Sequence, residues 1–214
     1  MSETRSPSEK KPLLIVVMGV SGTGKSTLAT SLSKVYRLPF IEGDEMHPKA
    51  NIDKMSAGIP LTDADREPWL ELIRTRVVKM AEDQRKEYSK EDSQRQKKEM
   101  HGVIVTCSAL KRYYRDILRG KEKVENKTEE TKDEVNPEPY EMSTVFVFMK
   151  GSREVLFERM SKRQNHYMKA NMLDSQLEAL ENPEGEDGVI TVGVDDSTEE
   201  QLQQVEEALA KLKL

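Results

Sequence analysis

The sequence predicts an α/β domain built on a parallel sheet with helices on both faces. Three observations carry that expectation. Short apolar runs at Leu13 to Met18, Leu38 to Asp44, Gly102 to Cys107, Ser143 to Met149 and Val189 to Val192 alternate with helix-length segments. The first and third are nearly continuous in aliphatic residues, as strands covered on both faces must be. The first is followed at once by Gly19-Val20-Ser21-Gly22-Thr23-Gly24-Lys25-Ser26, which fits the phosphate-loop spacing G-x-x-x-x-G-K-[ST] at every fixed position.

That loop points to a bound nucleotide. Its glycines let successive backbone N–H groups face one anionic centre, and the helix opening near Lys25 adds the partial positive charge of its N-terminus. Leu28, Leu32 and Val35 give that helix its buried side. Strand, glycine loop and helix together form the context the motif requires; a glycine turn that merely joins two elements is the plain alternative. The spacing implies that Gly19, Val20, Ser21, Gly22, Thr23, Gly24, Lys25, Ser26 and Thr27 hold the nucleotide, which the family resemblance given below makes ATP. In this arrangement Lys25 reaches the β- and γ-phosphates and the Ser26 hydroxyl holds Mg²⁺.

The second strand ends in Glu42-Gly43-Asp44, so two carboxylates stand at the edge where open α/β sheets bind ligands. Asp44 is a candidate catalytic base and equally a turn or cap residue, since Asp favours both. From His47 to Pro68 the chain is polar and punctuated by Gly and Pro, with Met55, Ile59 and Leu61 as apolar anchors. A helix is predicted from about Trp69 to Met80. The third strand ends without an acid, which turns the reading away from motor-type ATPases that keep a Mg²⁺-holding carboxylate there. Beyond it a helix is predicted around Tyr113 to Arg119.

Two stretches, at about 82–101 and 120–142, are dense in charge and poor in aliphatic residues, and are read as solvated insertions. After the fourth strand a helix begins near Ser152, and Arg159 and Arg163 share one of its faces. Phosphoryl transfer uses donors carried on a closing segment, so a lid is expected at about 159–172 with those arginines over the migrating group. A final amphipathic helix opens at Thr198 and carries Leu202, Val205, Leu209 and Leu212. The domain therefore spans 13–214, preceded by a loose tail at 1–12.

With 34% charged and only 36% hydrophobic residues, part of the 214-residue chain must be solvated surface. The net charge of −5 argues against a nucleic-acid partner. No apolar stretch reaches membrane-span length, and the first residues carry no secretory pattern. The single cysteine, Cys107, sits in an apolar run and suits a reducing, cytoplasmic setting. A homodimer is left open.

The phosphate loop, Gly43-Asp44-Glu45-Met46-His47-Pro48, Asn51, Lys54-Met55, Gly58-Ile59-Pro60-Leu61-Thr62-Asp63, Asp65-Arg66, Pro68-Trp69-Leu70, Cys107-Ser108-Ala109-Leu110-Lys111, Tyr114-Arg115-Asp116, Arg163, His166-Tyr167-Met168 and Leu173-Asp174-Ser175-Gln176 through Leu180-Glu181 together resemble the gluconokinase family. The resemblance covers most of the chain outside the charged stretches. It implies the P-loop fold shared with shikimate kinase and nucleoside monophosphate kinases, with sheet order 2-3-1-4-5. It also implies transfer of phosphate from ATP to D-gluconate, giving the 6-phosphogluconate used by the pentose phosphate pathway. The family usually shows Asp where this chain has Glu42, a position read as supporting Mg²⁺ from behind.

A sugar acid also suits the residues themselves, since its carboxylate needs a cation. Lys54, Arg66, Lys111 and Arg115 are candidates of equal standing, joined by His47 and His166 from the resemblance. Lys25, Asp44, Arg159 and Arg163 are expected to be catalytic. Two rival readings stay open on sequence alone: a nucleoside monophosphate kinase, and a nucleotide-gated interaction protein whose charged insertions hold the partner.

Overall fold

A computed structural model describes residues 11–88, 100–122, 140–162 and 167–212. Five parallel strands, β1 (Leu13–Met18), β2 (Phe40–Glu42), β3 (Gly102–Cys107), β4 (Ser143–Lys150) and β5 (Val189–Gly193), form one sheet in the order β2-β3-β1-β4-β5. This is the order expected from the sequence. β1 lies at the centre, flanked by β3 and β4, and every residue of β1 and β3 is buried. Their unbroken apolar runs follow from that position, because neither face meets water.

Seven helices accompany the strands among the described residues: α1 (Lys25–Tyr36), α2 (Lys49–Ser56), α3 (Asp63–Tyr88), α4 (Arg112–Arg119), α5 (Arg153–Ser161), α6 (Tyr167–Ala179) and α7 (Thr198–Lys211). α1 packs beside α7, and α3 packs beside α4. Leu28, Leu32, Val205 and Leu209 join the sheet residues in one continuous core. No described helix is long and apolar enough to cross a membrane.

Several boundaries differ from the sequence reading for identifiable reasons. The polar stretch after His47 contains α2, whose short and largely exposed surface leaves little apolar period to detect. α3 begins at Asp63, six residues before the expected start, with Pro68 inside it. Its entry is fixed by Thr62 and Asp65: the Thr62 backbone N–H donates to Asp65 Oδ2 at 2.9 Å, and the Asp65 N–H donates back to Thr62 Oγ1 at 3.4 Å. Pro68 sits in the second turn, where its ring removes one backbone donor, and the helix runs on through it with Trp69, Leu70 and Ile73 buried in the core. α3 also continues through Tyr88, into the first charged stretch; 89–99 and 123–139 lie outside the described residues. α5 and α6 are separate helices rather than one. α7 opens at Thr198, as expected, behind a cap in which Ser197 and Glu200 pair reciprocally.

The pairing of β2 with β3 positions the two acids. Glu42 stands opposite Thr106 in the register. The chain then turns away at Gly43, where an added Cβ would lie 2.1 Å from the Thr106 carbonyl oxygen. Only glycine permits that approach, and it sets Glu42 and Asp44 on either side of the entry to a tight 3₁₀ turn, Gly43–Met46.

Candidate active site

The phosphate loop connects β1 to α1 and is braced from within. Gly24, at φ 95°, occupies the left-handed region as it caps α1, which a side chain would resist. Thr23 is buried and donates from Oγ1 to the Val20 carbonyl at 3.0 Å. Lys25 Nζ donates to the same carbonyl, also at 3.0 Å. Burial holds the Lys25 pKa below its ordinary value, opposed by the negative charges of Asp44 and Glu42 and by Cys107. Lys25 is thus bonded within the loop and in electrostatic reach of the ends of β2 and β3.

Glu42 links three elements. Its Oε2 accepts from Ser26 Oγ at 2.5 Å, and its Oε1 accepts from Thr106 Oγ1. Thr106 Oγ1 in turn accepts from the Gly43 N–H at 3.2 Å. The third strand lacks a terminal acid, and the neighbouring strand supplies one sideways. Because the Ser26 hydroxyl proton is directed to Glu42, its oxygen lone pairs remain free to accept a cation, so the donor set fits Mg²⁺ carried on nucleotide phosphates.

Asp44 is accessible to solvent, yet the protein around it raises its pKa above the ordinary aspartate value. Burial is the main cause; Lys25 opposes it and Glu42 adds to it. A carboxylate that is reachable but poorly hydrated is disposed to take a proton.

Beside Asp44 the wall is aromatic. Trp69 donates from its indole to the Gly43 carbonyl at 2.8 Å and stacks on His47, ring centroids 3.9 Å apart and 16° from parallel. Asn51 Nδ2 donates to the Asp65 carbonyl at 2.8 Å, which can only accept, so its amino group is fixed on that side. The same Nδ2 lies 3.3 Å from His47 Nδ1, which must therefore be the accepting nitrogen. Burial, aided by the Arg66 charge, pushes the His47 pKa down to about 4. At neutral pH His47 is thus uncharged with its proton on Nε2.

The four cations proposed for an acceptor carboxylate divide once their partners are known. Lys54 pairs with Asp65 at 2.6 Å, and this contact is the main reason the Asp65 pKa falls to about 2. Lys111 donates to both oxygens of Asp63, at 2.7 and 2.8 Å, and Tyr114 donates to Asp63 as well. Arg115 is a correction. It is fully buried, pairs with Glu186 at 2.5 Å, and donates to the carbonyls of Ala109 and Leu110 at 2.9 and 3.0 Å, so its role is to hold the turn after β3. Glu186 also takes Arg119 at 3.0 Å. A cavity of about 480 Å³ lies there, its lining including the paired charges Arg115, Arg119, Asp116 and Glu186, and none of its lining residues belongs to the phosphate loop. Arg66 alone of the four makes no ion pair among the described residues; it donates to the Leu61 carbonyl, and its guanidinium carbon lies 5.9 Å from the Tyr114 ring centroid.

Arg159 donates from Nη2 to the Val194 carbonyl, in the link from β5 to α7, and is held there in this structure. Its neighbour Met160 packs against Gly22 of the loop. Arg163 and His166 lie outside the described residues. Sequence reasoning missed Thr106, the Asn51 contact with His47, and the reach of Gln176, quoted there only within the family pattern, whose Oε1 accepts from the Ser21 N–H at 2.7 Å. The match of Glu42 to Thr106 is a lateral relation between strands that no local spacing encodes.

The phosphate loop, the parallel sheet order and the paired acids at the end of β2 define a P-loop kinase. A family profile described as AAA domain matches residues 14–183. The chain is 40% identical over 192 residues to a gluconokinase of Gluconobacter oxydans strain 621H, covering 90% of this chain and 88% of that one. It is 34% identical over 187 residues to the thermoresistant gluconokinase of Escherichia coli K12, covering 87% of each. A crystal structure of a gluconokinase from Sinorhizobium meliloti 1021 superposes with a TM-score of 0.69 at 39% identity, covering 95% of this chain and 94% of that one. A Mycobacterium tuberculosis APS kinase, at 16% identity and a TM-score of 0.54, shares the fold. The chain belongs to the gluconokinase family.

Proposed function

We propose that this protein transfers the terminal phosphoryl group of ATP to the 6-hydroxyl of D-gluconate, releasing ADP and 6-phospho-D-gluconate. Membership of the gluconokinase family supports the acceptor. The observation that carries the chemistry is geometric: the end of β2 meets the phosphate loop where Glu42 takes Ser26 at 2.5 Å, and Asp44 follows one residue beyond Gly43.

In this reading the loop N–H groups and Lys25 hold the β- and γ-phosphates, the lysine leaving the Val20 carbonyl to do so. That carbonyl keeps Thr23 as a partner, so the exchange leaves no buried acceptor unpaired. Ser26, oriented from behind by Glu42, would hold Mg²⁺, which would supply charge neutralisation at the phosphates. Asp44 accepts a hydrogen bond from the gluconate 6-hydroxyl and aligns its oxygen with the phosphorus. The new bond joins that oxygen to phosphorus, the bond from phosphorus to the bridging oxygen breaks, ADP departs, and the hydroxyl proton passes late to Asp44. Since the transition state is loose, alignment contributes more than basicity.

Arg66 is the cation proposed for the gluconate carboxylate, as the candidate not already neutralised by an acid among the described residues. His47 offers its Nε2 proton to a sugar hydroxyl without competing for that carboxylate. The test is an ADP-release assay across D-gluconate, other sugar acids, shikimate and nucleoside monophosphates. Gluconate-dependent release is expected; release that depends on a nucleoside monophosphate alone would overturn the reading.

A further inference from the structure

Gln176 lies on α6, far from the phosphate loop in sequence, yet its side chain reaches the loop and accepts from the Ser21 N–H at 2.7 Å. The orientation of its amide follows from that contact, because a backbone N–H can only donate and so must face Oε1 rather than Nε2. The Nε2 group carries two N–H donors and has no protein partner among the described residues. Both atoms hang from one carbon, so fixing the oxygen on the loop also fixes where the donors stand.

The helix is secured at this point. Asp174, two residues earlier, takes a bidentate contact from Arg153 at the start of α5, at 2.6 and 2.9 Å. Leu173 is buried in the core. A long polar side chain on a helix loses rotamer freedom when it is held, and the loop N–H would be equally satisfied by water. What a carboxamide offers that water does not is a donor pair at a set position beside the phosphate cradle.

We propose that Gln176 is a catalytic residue of the phosphoryl transfer, donating from Nε2 to an oxygen of the terminal phosphate of ATP while its Oε1 stays on Ser21. The proposal rests on ATP being the phosphoryl donor and goes beyond it by naming the group that distinguishes ATP from ADP. Such a donor gains strength as charge spreads over the three equatorial oxygens of the migrating group, so it acts on turnover as well as on binding.

The experiment measures ATP and ADP affinities by titration calorimetry, without any acceptor, for the full-length wild type, Gln176→Met and Gln176→Glu. Methionine keeps the length and helix preference of the side chain, and glutamate keeps its shape while placing an acceptor where the donors stood. The expected result is a loss of about ten- to a hundredfold in ATP affinity with ADP affinity changed less than about twofold, larger for glutamate than for methionine. A matching fall in kcat is expected, with the KM for the acceptor within about threefold of wild type. Unchanged ATP affinity in folded Gln176→Met would overturn the proposal. So would tighter binding of both nucleotides, which would make the side chain a plug that ATP displaces. If wild type released no ADP with gluconate while the ATP-selective loss persisted, the acceptor reading would fail and the assignment of Gln176 would stand.

Discussion

Glu42 and Thr106 stand directly opposite one another at the ends of two neighbouring parallel strands, and the threonine hydroxyl donates to the carboxylate. The same carboxylate receives Ser26 from the helix that opens after the phosphate loop. Thr106 therefore determines which way Glu42 points, and Glu42 determines which way the Ser26 proton points. Supporting contacts of this kind around a metal or phosphate site commonly change activity by about 10- to 100-fold when removed.

Thr106→Val tests that chain of contacts. The substitution preserves shape, removes the donor to Glu42, and leaves the Gly43 N–H without its acceptor. We expect kcat to fall by roughly tenfold and stability by about 1–3 kcal/mol. Kinetics at saturating ATP and a urea melt measure the two effects separately. A valine enzyme with wild-type turnover would show that Thr106 has no part in the site.

For Asp44→Asn we expect ATP affinity near wild type and a loss in kcat of roughly 10²-fold or more. The raised pKa of Asp44 also sets a pH signature. The base acts only when deprotonated, so as pH falls the activity is lost from a pH above the ordinary aspartate value, and the asparagine variant lacks that acid limb. Because the ionised form is the disfavoured one in the folded protein, Asn is expected to leave the melting temperature unchanged or higher. Asn caps turns about as well as Asp, so a purely structural Asp44 would predict wild-type turnover.

Arg66→Met is expected to raise the KM for gluconate by about tenfold or more, the loss of a charge-assisted contact, while the KM for ATP moves less than about twofold. Steady-state kinetics with each substrate varied in turn separates the two. Equal rises in both constants would point to a general disturbance of the cleft.

Glu186→Ala carries the opposite expectation. It strands the buried guanidinium of Arg115, and the cost is about 3 kcal/mol of stability. The catalytic constants should remain near wild type in the folded fraction. A selective rise in gluconate KM would return Arg115 to the acceptor site.

His47 gives a stability test whose sign is set by linkage. Its pKa is about 4 in the folded protein against 6.5 for an ordinary imidazole, so the unfolded chain binds the extra proton first. The stabilising contribution of the neutral, stacked ring is present in full above the ordinary value of 6.5 and is lost as pH falls through about 4. Denaturant melts of wild type and His47→Gln should differ most near neutral pH and converge on acidification.

How much of this is legible in the sequence depends on the range of each signal. Buried parallel strands announce themselves by composition alone, so Leu13–Met18 and Gly102–Cys107 are read to the residue. The phosphate loop is equally local, since its glycines and lysine lie in one run. Asp44 is visible as an acid at a strand end, though only the fold shows it beside Lys25. α2 escapes detection because an exposed eight-residue helix offers almost no apolar period. Arg115 misleads because a cation's partner is a tertiary fact: Glu186 lies 71 residues away, and nothing around Arg115 foretells its complete burial. Thr106, and the contact made by Gln176, are silent for the same reason, as each acts across the fold on an atom whose neighbourhood the chain order does not reveal.

The stack of His47 on Trp69 has a practical corollary. The chain contains one tryptophan, and that indole is bonded to the carbonyl of Gly43, the residue immediately before Asp44. The protein's entire tryptophan emission therefore originates at the wall of the proposed acceptor site. No label is required to watch that wall: intensity and wavelength at Trp69 form an optical gauge of its polarity, recorded in real time in the unmodified protein.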